Sequence, residues 1–253
     1  YNIVYIPSLS VNNLLKQRQT ASPSSIAAFG NPDYSSFHPE KLEYGRGYDL
    51  AKIFGFTNWS NLPGTEKELE LIKKTIPPAV VYQQKNISET ILKKMSSNNQ
   101  LTNVGILHFA MHGLGSSGDF NDASLIVSEP DGSIEDGILQ FEEIMNLKLK
   151  ARMVCISACE SAIGDFSETG SDDIINLSTA FIIAGANSVV TSSWKISDDA
   201  TMLFMGEVYK NIYTENKGIS ESFFITRKKF IEGAFGEKYK SPYYWAPFRY
   251  TGY

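Results

Sequence analysis

The sequence predicts an α/β fold, a mostly parallel sheet with helices on both faces, and three observations lead there. Strand-length apolar runs alternate with amphipathic helical stretches along most of the 253 residues. Two of those runs, Val104 to Ala110 and Met153 to Ser157, are nearly continuous in apolar residues, as strands buried on both faces are. The length is enough for one domain with a sizeable core.

Taken in order, Asn2 to Ile6 is a short strand candidate, followed by a helix from Val11 to Gln19. Ser25 to Phe29 is a strand stopped by Gly30-Asn31-Pro32. From there to Gly64 the chain is rich in Gly, Asn, Ser and aromatic residues. It reads as a long surface excursion, with His38 facing solvent. Thr65 to Ile76 has helical spacing, with Thr65 as N-cap and Glu68 three residues on as its capping-box partner. Pro77-Pro78 ends that helix. Val80 to Gln83 is a strand. Ser88 caps a helix to Met95 whose Ile91, Leu92 and Met95 share a face. Ser124 to Ser128 and Gly137 to Leu139 form a hairpin around Pro130-Asp131-Gly132. Phe141 to Leu147 is a short helix, and Asp165 to Asp173 is an acidic, turn-rich stretch. A helix over Ile174 to Ala184, a strand over Ser188 to Ser193, helices over Asp198 to Tyr213 and Ser220 to Ile231, and a strand over Tyr244 to Thr251 complete the chain.

Composition narrows the function classes. A net charge of −5 gives no basic face for nucleic acid or an anionic membrane. No apolar stretch reaches membrane-spanning length and no signal peptide opens the chain. Cys155 and Cys159, on one extended strand, stand about 13 Å apart, beyond the roughly 7 Å limit for a disulfide. Two unbridged thiols point to a reducing, cytoplasmic compartment. Three histidines and two cysteines never fall into zinc-ligand spacing, and no phosphate-binding loop or Gly-x-Gly-x-x-Gly occurs, so no metal or cofactor is expected.

The chemistry sits at the ends of the two apolar strands. His112, followed by Gly113, ends the first, and Cys159 ends the second. Functional groups on α/β sheets collect at strand ends. A neutral imidazole beside a thiol gives an activated sulfur nucleophile. The backbone N–H groups of Gly113 and Cys159 are natural oxyanion donors, each worth roughly a hundred- to a thousandfold in rate. No side chain is evidently placed to orient His112, a task a backbone carbonyl can perform. The plainer reading makes Cys159 a core thiol and His112 a structural histidine. His108 and Cys155, four residues earlier on the same strands, are taken as packing residues.

Longer stretches around these residues resemble the CHAT domain, a family grouped with caspase- and separase-type cysteine peptidases. They are His108-Phe-Ala-Met-His112-Gly113, Val154-Cys-Ile-Ser-Ala-Cys159-Glu-Ser, and Ala180 through Trp194 to Thr201. The opening Tyr5-Ile-Pro-Ser-Leu9 and the closing Pro242 to Gly252 match as well, so the resemblance covers nearly the whole chain. It implies a caspase-like three-layer α/β/α sandwich forming a single domain over 1–253. It implies His112 as general base, Cys159 as nucleophile and hydrolysis through a thioester. In this family the domain is usually the output of a longer protein. Tetratricopeptide repeats often lie upstream and some members serve prokaryotic defence, including CRISPR-linked protease complexes, so a protein substrate and a regulatory module or partner protein are the expected partners, without direct contact to nucleic acid or membrane.

Set against the family, the strand ending in Ser193 and Trp194 forms a wall of the specificity pocket. Asp198 resembles the separase acid that pairs with a basic side chain, and Ser157 lines the pocket floor. Asp198 can equally cap the helix that begins near Asp199. Glu160-Ser161-Ala162 replaces the family's usual Ser-Gly after the cysteine, which leaves the shape of that loop in doubt. The leading expectation is a regulated endopeptidase gated by the Asp165 to Asp173 segment. The alternative is a catalytically silent caspase-like scaffold.

Overall fold

In a computed structural model of the chain, residues 3–22, 24–36, 59–114, 123–129, 133–157, 170–194 and 196–253 are described, with backbone alone for 36, 114 and 170–176. Helices α1 (Leu9–Gln17), α2 (Pro63–Thr75), α3 (Glu89–Ser97), α4 (Phe141–Met145), α5 (Gly170–Ala184), α6 (Asp198–Tyr213) and α7 (Ile219–Glu232) surround two sheets. The main sheet contains β1 (Ile26–Gly30), β2 (Val80–Gln83), β3 (Ile106–Ala110), β7 (Met153–Ile156), β8 (Ser188–Ser192) and β9 (Phe248–Gly252). Their order is β2-β1-β3-β7-β8-β9. All neighbours are parallel except β8 and β9. The smaller sheet is antiparallel and joins β4 (His112–Leu114), β5 (Ser124–Ile126) and β6 (Ile138–Gln140).

Strand side chains alternate between faces, and the core divides accordingly. Ala27, Phe29, Leu107, Phe109, Val154, Ile156 and Val189 face one layer, with Leu92 of α3, Ile144 of α4 and Phe181 of α5. Ile26, Ala28, Ile106, Met153, Cys155 and Val190 face the other, with Leu69 of α2, Phe204 of α6 and Phe223 of α7. This is the three-layer sandwich expected. No described helix is long and apolar enough to cross a membrane.

Several local expectations need correction. Asn2 to Ile6 does not form a strand among the described residues: only Tyr5 pairs, in a single bridge with Thr251, and Ser8 caps α1 immediately beyond Pro7. The surface excursion is buried at both described ends, where Asn31, Tyr34 and Trp59 are 8%, 4% and 9% exposed. His38 and the rest of 37–58 lie outside the described residues, as does the Pro130-Asp131-Gly132 turn. α2 starts two residues early with Pro63 in its first turn, and Thr65 bonds the Leu62 carbonyl instead of capping. α5 begins at Gly170, so the acidic stretch ends in helix, and its residues 165–169 are outside the description. The last strand starts only at Phe248, after a 3₁₀ turn over Pro242–Tyr244 and after Pro247, which has no N–H to offer a ladder. Ser88 does cap α3, accepting from Ile91 N at 3.2 Å.

One tight crossing holds α5 to the loop before β7. Gly185 has φ +120, and a Cβ there would stand 2.1 Å from the Leu149 carbonyl oxygen, so only glycine fits.

Candidate active site

β3 and β7 are hydrogen-bonded parallel neighbours, with His108 beside Cys155 and Phe109 beside Ile156. Two residues past β3 the chain turns into the small sheet, and His112 is its first residue. His112 is 2% exposed. Its Nε2 lies 2.8 Å from the Ser60 carbonyl oxygen. A carbonyl can only accept, so Nε2 carries a proton, and in the neutral ring the basic nitrogen is Nδ1. Tyr34 and Trp59 pack on the imidazole with centroids 5.1 and 5.2 Å away. The Tyr34 hydroxyl accepts from His112 N and donates to Ile126 O, each at 3.2 Å, and so pins the start of β4 to β5. Burial raises the Tyr34 pKa above its usual value, against the lowering effect of the His112 N–H, and keeps the hydroxyl neutral.

Tyr34, Trp59 and Ser60 were missed in the sequence. The available signal was an aromatic pair inside a polar stretch; a backbone carbonyl leaves no signature at all. Cys159 lies outside the described residues, and β7 leads to it through Ser157. Gly113 follows His112 on β4 and is buried, opposite Leu125.

The proposed pocket residues are spread over the β8–α6 connection. Ser193 is exposed and its N–H donates to the Pro247 carbonyl at 2.9 Å. Trp194 is 41% exposed, with Nε1 donating to Tyr243 O at 3.0 Å. Asp198 is exposed and is the first residue of α6, with Ser197 as N-cap. That corrects the capping alternative: the carboxylate sits inside the helix's first turn. It leans instead on α2, where a Cβ on Gly64 would come within 1.8 Å of its Oδ2. Ser60 touches His112 and Gly64 touches Asp198, and four residues span no more than about 14 Å. One short segment thus ties His112 to Asp198. Ser157 is half-buried, and its hydroxyl donates to Glu68 Oε2 at 3.0 Å.

Glu68 opens a second group beneath the first. Its Oε1 is 3.2 Å from His108 Nε2, a charge contact without hydrogen-bond alignment, and His108 Nδ1 is 2.7 Å from the Tyr209 hydroxyl. Glu68 is therefore not a capping-box residue, and His108 is more than packing. Cys155 is buried with its sulfur 3.9 Å from that of Met205, and it also interacts with the His108 ring, so it too is more than packing. Burial disfavours the charged His108 ring. The Cys155 sulfur and the Glu68 carboxylate outweigh burial and push its pKa up to about 10. Because the folded value is raised, the stabilisation is complete below the unfolded value of about 6.5 and is lost as pH climbs through about 10. Melting temperatures of wild type should therefore fall more steeply between pH 7 and 10 than those of His108→Gln. Parallel profiles would mean a neutral ring.

The only carboxylate cluster with metal-like spacing among the described residues is Glu89, Glu135 and Glu143. The Lys93 ammonium stands among them at 2.6, 2.6 and 2.8 Å. Burial raises the Glu89 pKa to about 9, against the lowering effect of the Lys93 bond, and the neighbouring Glu143 and Glu135 carboxylates add to the rise. The cluster ties α3 to the β6–α4 region and is remote in the chain from the site residues.

A family model described as CHAT domain matches residues 1–253. The curated proteins give no match. Among solved structures, the Saccharomyces cerevisiae separase–securin complex is similar in two determinations, at 3.0 and 2.6 Å resolution. Identity is 16% in both, TM-scores are 0.50 and 0.49, and 100% and 99% of this chain are covered. Gingipain R, an Arg-specific cysteine proteinase, is 10% identical over 96% of the chain with TM-score 0.49. The matched regions make up 14% of the separase chain and 51% of the gingipain chain. The likeness to separase is one of fold.

Proposed function

The chain belongs to the CHAT domain family, and on that premise we propose that it is a cysteine endopeptidase acting on a protein substrate, with Cys159 as nucleophile and His112 as general base. The observation that carries the reading is the Ser60 carbonyl on His112 Nε2, which directs Nδ1 to act as the proton acceptor, two residues beyond β3, the parallel neighbour of the strand that leads to Cys159. Nδ1 takes the thiol proton and the thiolate attacks the scissile carbonyl. The N–H groups of Gly113 and Cys159 receive the oxyanion. The imidazolium then protonates the leaving amine, and water hydrolyses the thioester with the same ring as base.

In this reading Asp198 selects a basic side chain before the scissile bond, with Trp194 and Ser193 at the pocket rim and Ser157 at its floor. Its exposed carboxylate lies near two helix N-termini, within reach of an arginine or lysine side chain. Control by an upstream or separate regulatory module, tetratricopeptide repeats or a CRISPR effector, belongs to the proposal. The burial of His112 under Tyr34 and Trp59 favours a second reading, a silent scaffold, if that cover never opens.

Cleavage profiling on a peptide library separates the two. Wild type should cut after Arg or Lys, Asp198→Asn should lose most of that preference, and Cys159→Ala should not cut. Equal cutting by Cys159→Ala would remove the assignment.

A further inference from the structure

Glu68 is a carboxylate only 5% exposed, on the face of the sheet covered by α2 and α6. A charge in that place is costly unless it is paired and hydrogen-bonded, and an apolar residue of similar volume would serve packing as well. The groups that face it are Ser157 after β7, His108 on β3, and Tyr209 of α6 through His108, with Cys155 of β7 beside the ring. Its Oε2 accepts the Ser157 hydroxyl at 3.0 Å, two residues before Cys159 in the chain. Its helix is entered through Ser60, whose carbonyl orients His112 at 2.8 Å.

We propose that Glu68 is a positioning residue for Cys159: through the Ser157 hydroxyl it fixes the exit of β7 relative to the same helix entry that orients His112. The inference rests on the dyad reading above. Glu68 is the eighth residue after Ser60, and the last six of those eight, Pro63 to Glu68, lie within α2. α2 and the short lead into it therefore join the carbonyl that orients His112 to the carboxylate that holds Ser157. A thiol and an imidazole must meet at hydrogen-bond reach, and small misplacement is expensive in rate. Ser157 holds the last described position before the nucleophile. The His108 ring lies against Oε1 of Glu68, which leaves Oε2 to accept the Ser157 hydroxyl. The device needs no contact between Glu68 and substrate.

The test is the pH dependence of iodoacetamide alkylation at Cys159, read site by site by mass spectrometry on the whole chain, with melting temperature measured alongside. Wild type should show a thiol midpoint well below the free-thiol value of about 8.5. Glu68→Gln and Ser157→Ala should each raise that midpoint by about one unit and slow alkylation at pH 6.5 about tenfold. The double variant should show no further shift, and Ser157→Thr, which keeps the hydroxyl, should restore the wild-type profile. A merely structural role would lower the melting temperature and leave the midpoint in place, overturning the inference while the dyad stands. If Glu68→Gln fails to fold, the Ser157→Ala and Ser157→Thr pair decides alone. A wild-type midpoint near 8.5 that His112→Ala does not move would overturn the dyad reading and this inference with it.

Discussion

Replacing His112 by alanine should lower cleavage by a hundred- to ten-thousandfold, the range a positioned general base contributes. Cys159→Ala should reduce it to background, because no second thiol can substitute: Cys155 is buried and packed on Met205. The fold should survive both changes. His112 is held by Tyr34, Trp59 and the Ser60 carbonyl, and its removal leaves one ring-sized gap among aromatic neighbours instead of a broken strand. The two single variants should also be non-additive, since base and nucleophile act as a unit and the double variant loses little more than Cys159→Ala alone. Activity assays with circular dichroism as a folding control check this. Near-wild-type activity in His112→Ala would show that the imidazole is structural.

Phe109→Ala should destabilise the domain by about 3–5 kcal/mol, the usual cost of emptying a large core site. Phe109 is 1% exposed on β3 and stacks on Phe29 with centroids 5.2 Å apart, while Phe181 of α5 approaches from the helical layer at 5.5 Å. It stands three residues before His112, so β3 bears the site and the core on one strand. Urea unfolding should give a lower midpoint at nearly unchanged slope, because the area exposed on unfolding hardly changes. Below the transition the folded fraction should keep its cleavage rate within a fewfold, because Phe109 faces the layer away from Glu68 and His108. A loss below about 1 kcal/mol would mean that the aromatic cluster closes over the gap.

These two residues illustrate what the sequence made legible. Phe109 and His108 alternate within one nearly continuous apolar run, and that run marks β3 as an interior strand. The same logic found β7, β8 and the amphipathic α6, whose bounds the helical spacing matched. Ser88 was readable as a cap because the chemistry is local: a hydroxyl three residues from the N–H it accepts. Glu68 misled for the same reason. Its spacing from Thr65 satisfies a local capping rule, whereas its partners, Ser157 and His108, are 89 and 40 residues away and meet it only once the sheet is assembled.

Tyr34 and Trp59 were hidden by context, each lying in a Gly-, Asn- and Ser-rich stretch that reads as solvent-facing. Burial there comes from tertiary packing on His112, which no window of sequence contains. The orienting group for His112 is a main-chain oxygen, so no residue type announces it. Asp198 was placed correctly near a helix start, but the neighbour that defines its position, Gly64, comes from the opposite half of the chain.

The most direct measurement is a crystal structure of the protein carrying a peptidyl chloromethylketone, with the adduct and the His112 ring both visible. The account predicts a covalent bond at Cys159 Sγ, with His112 Nδ1 within about 4 Å of that sulfur and Nε2 still on the Ser60 carbonyl. A sulfur facing away from the imidazole across the sheet, or an adduct on any other residue, would contradict it.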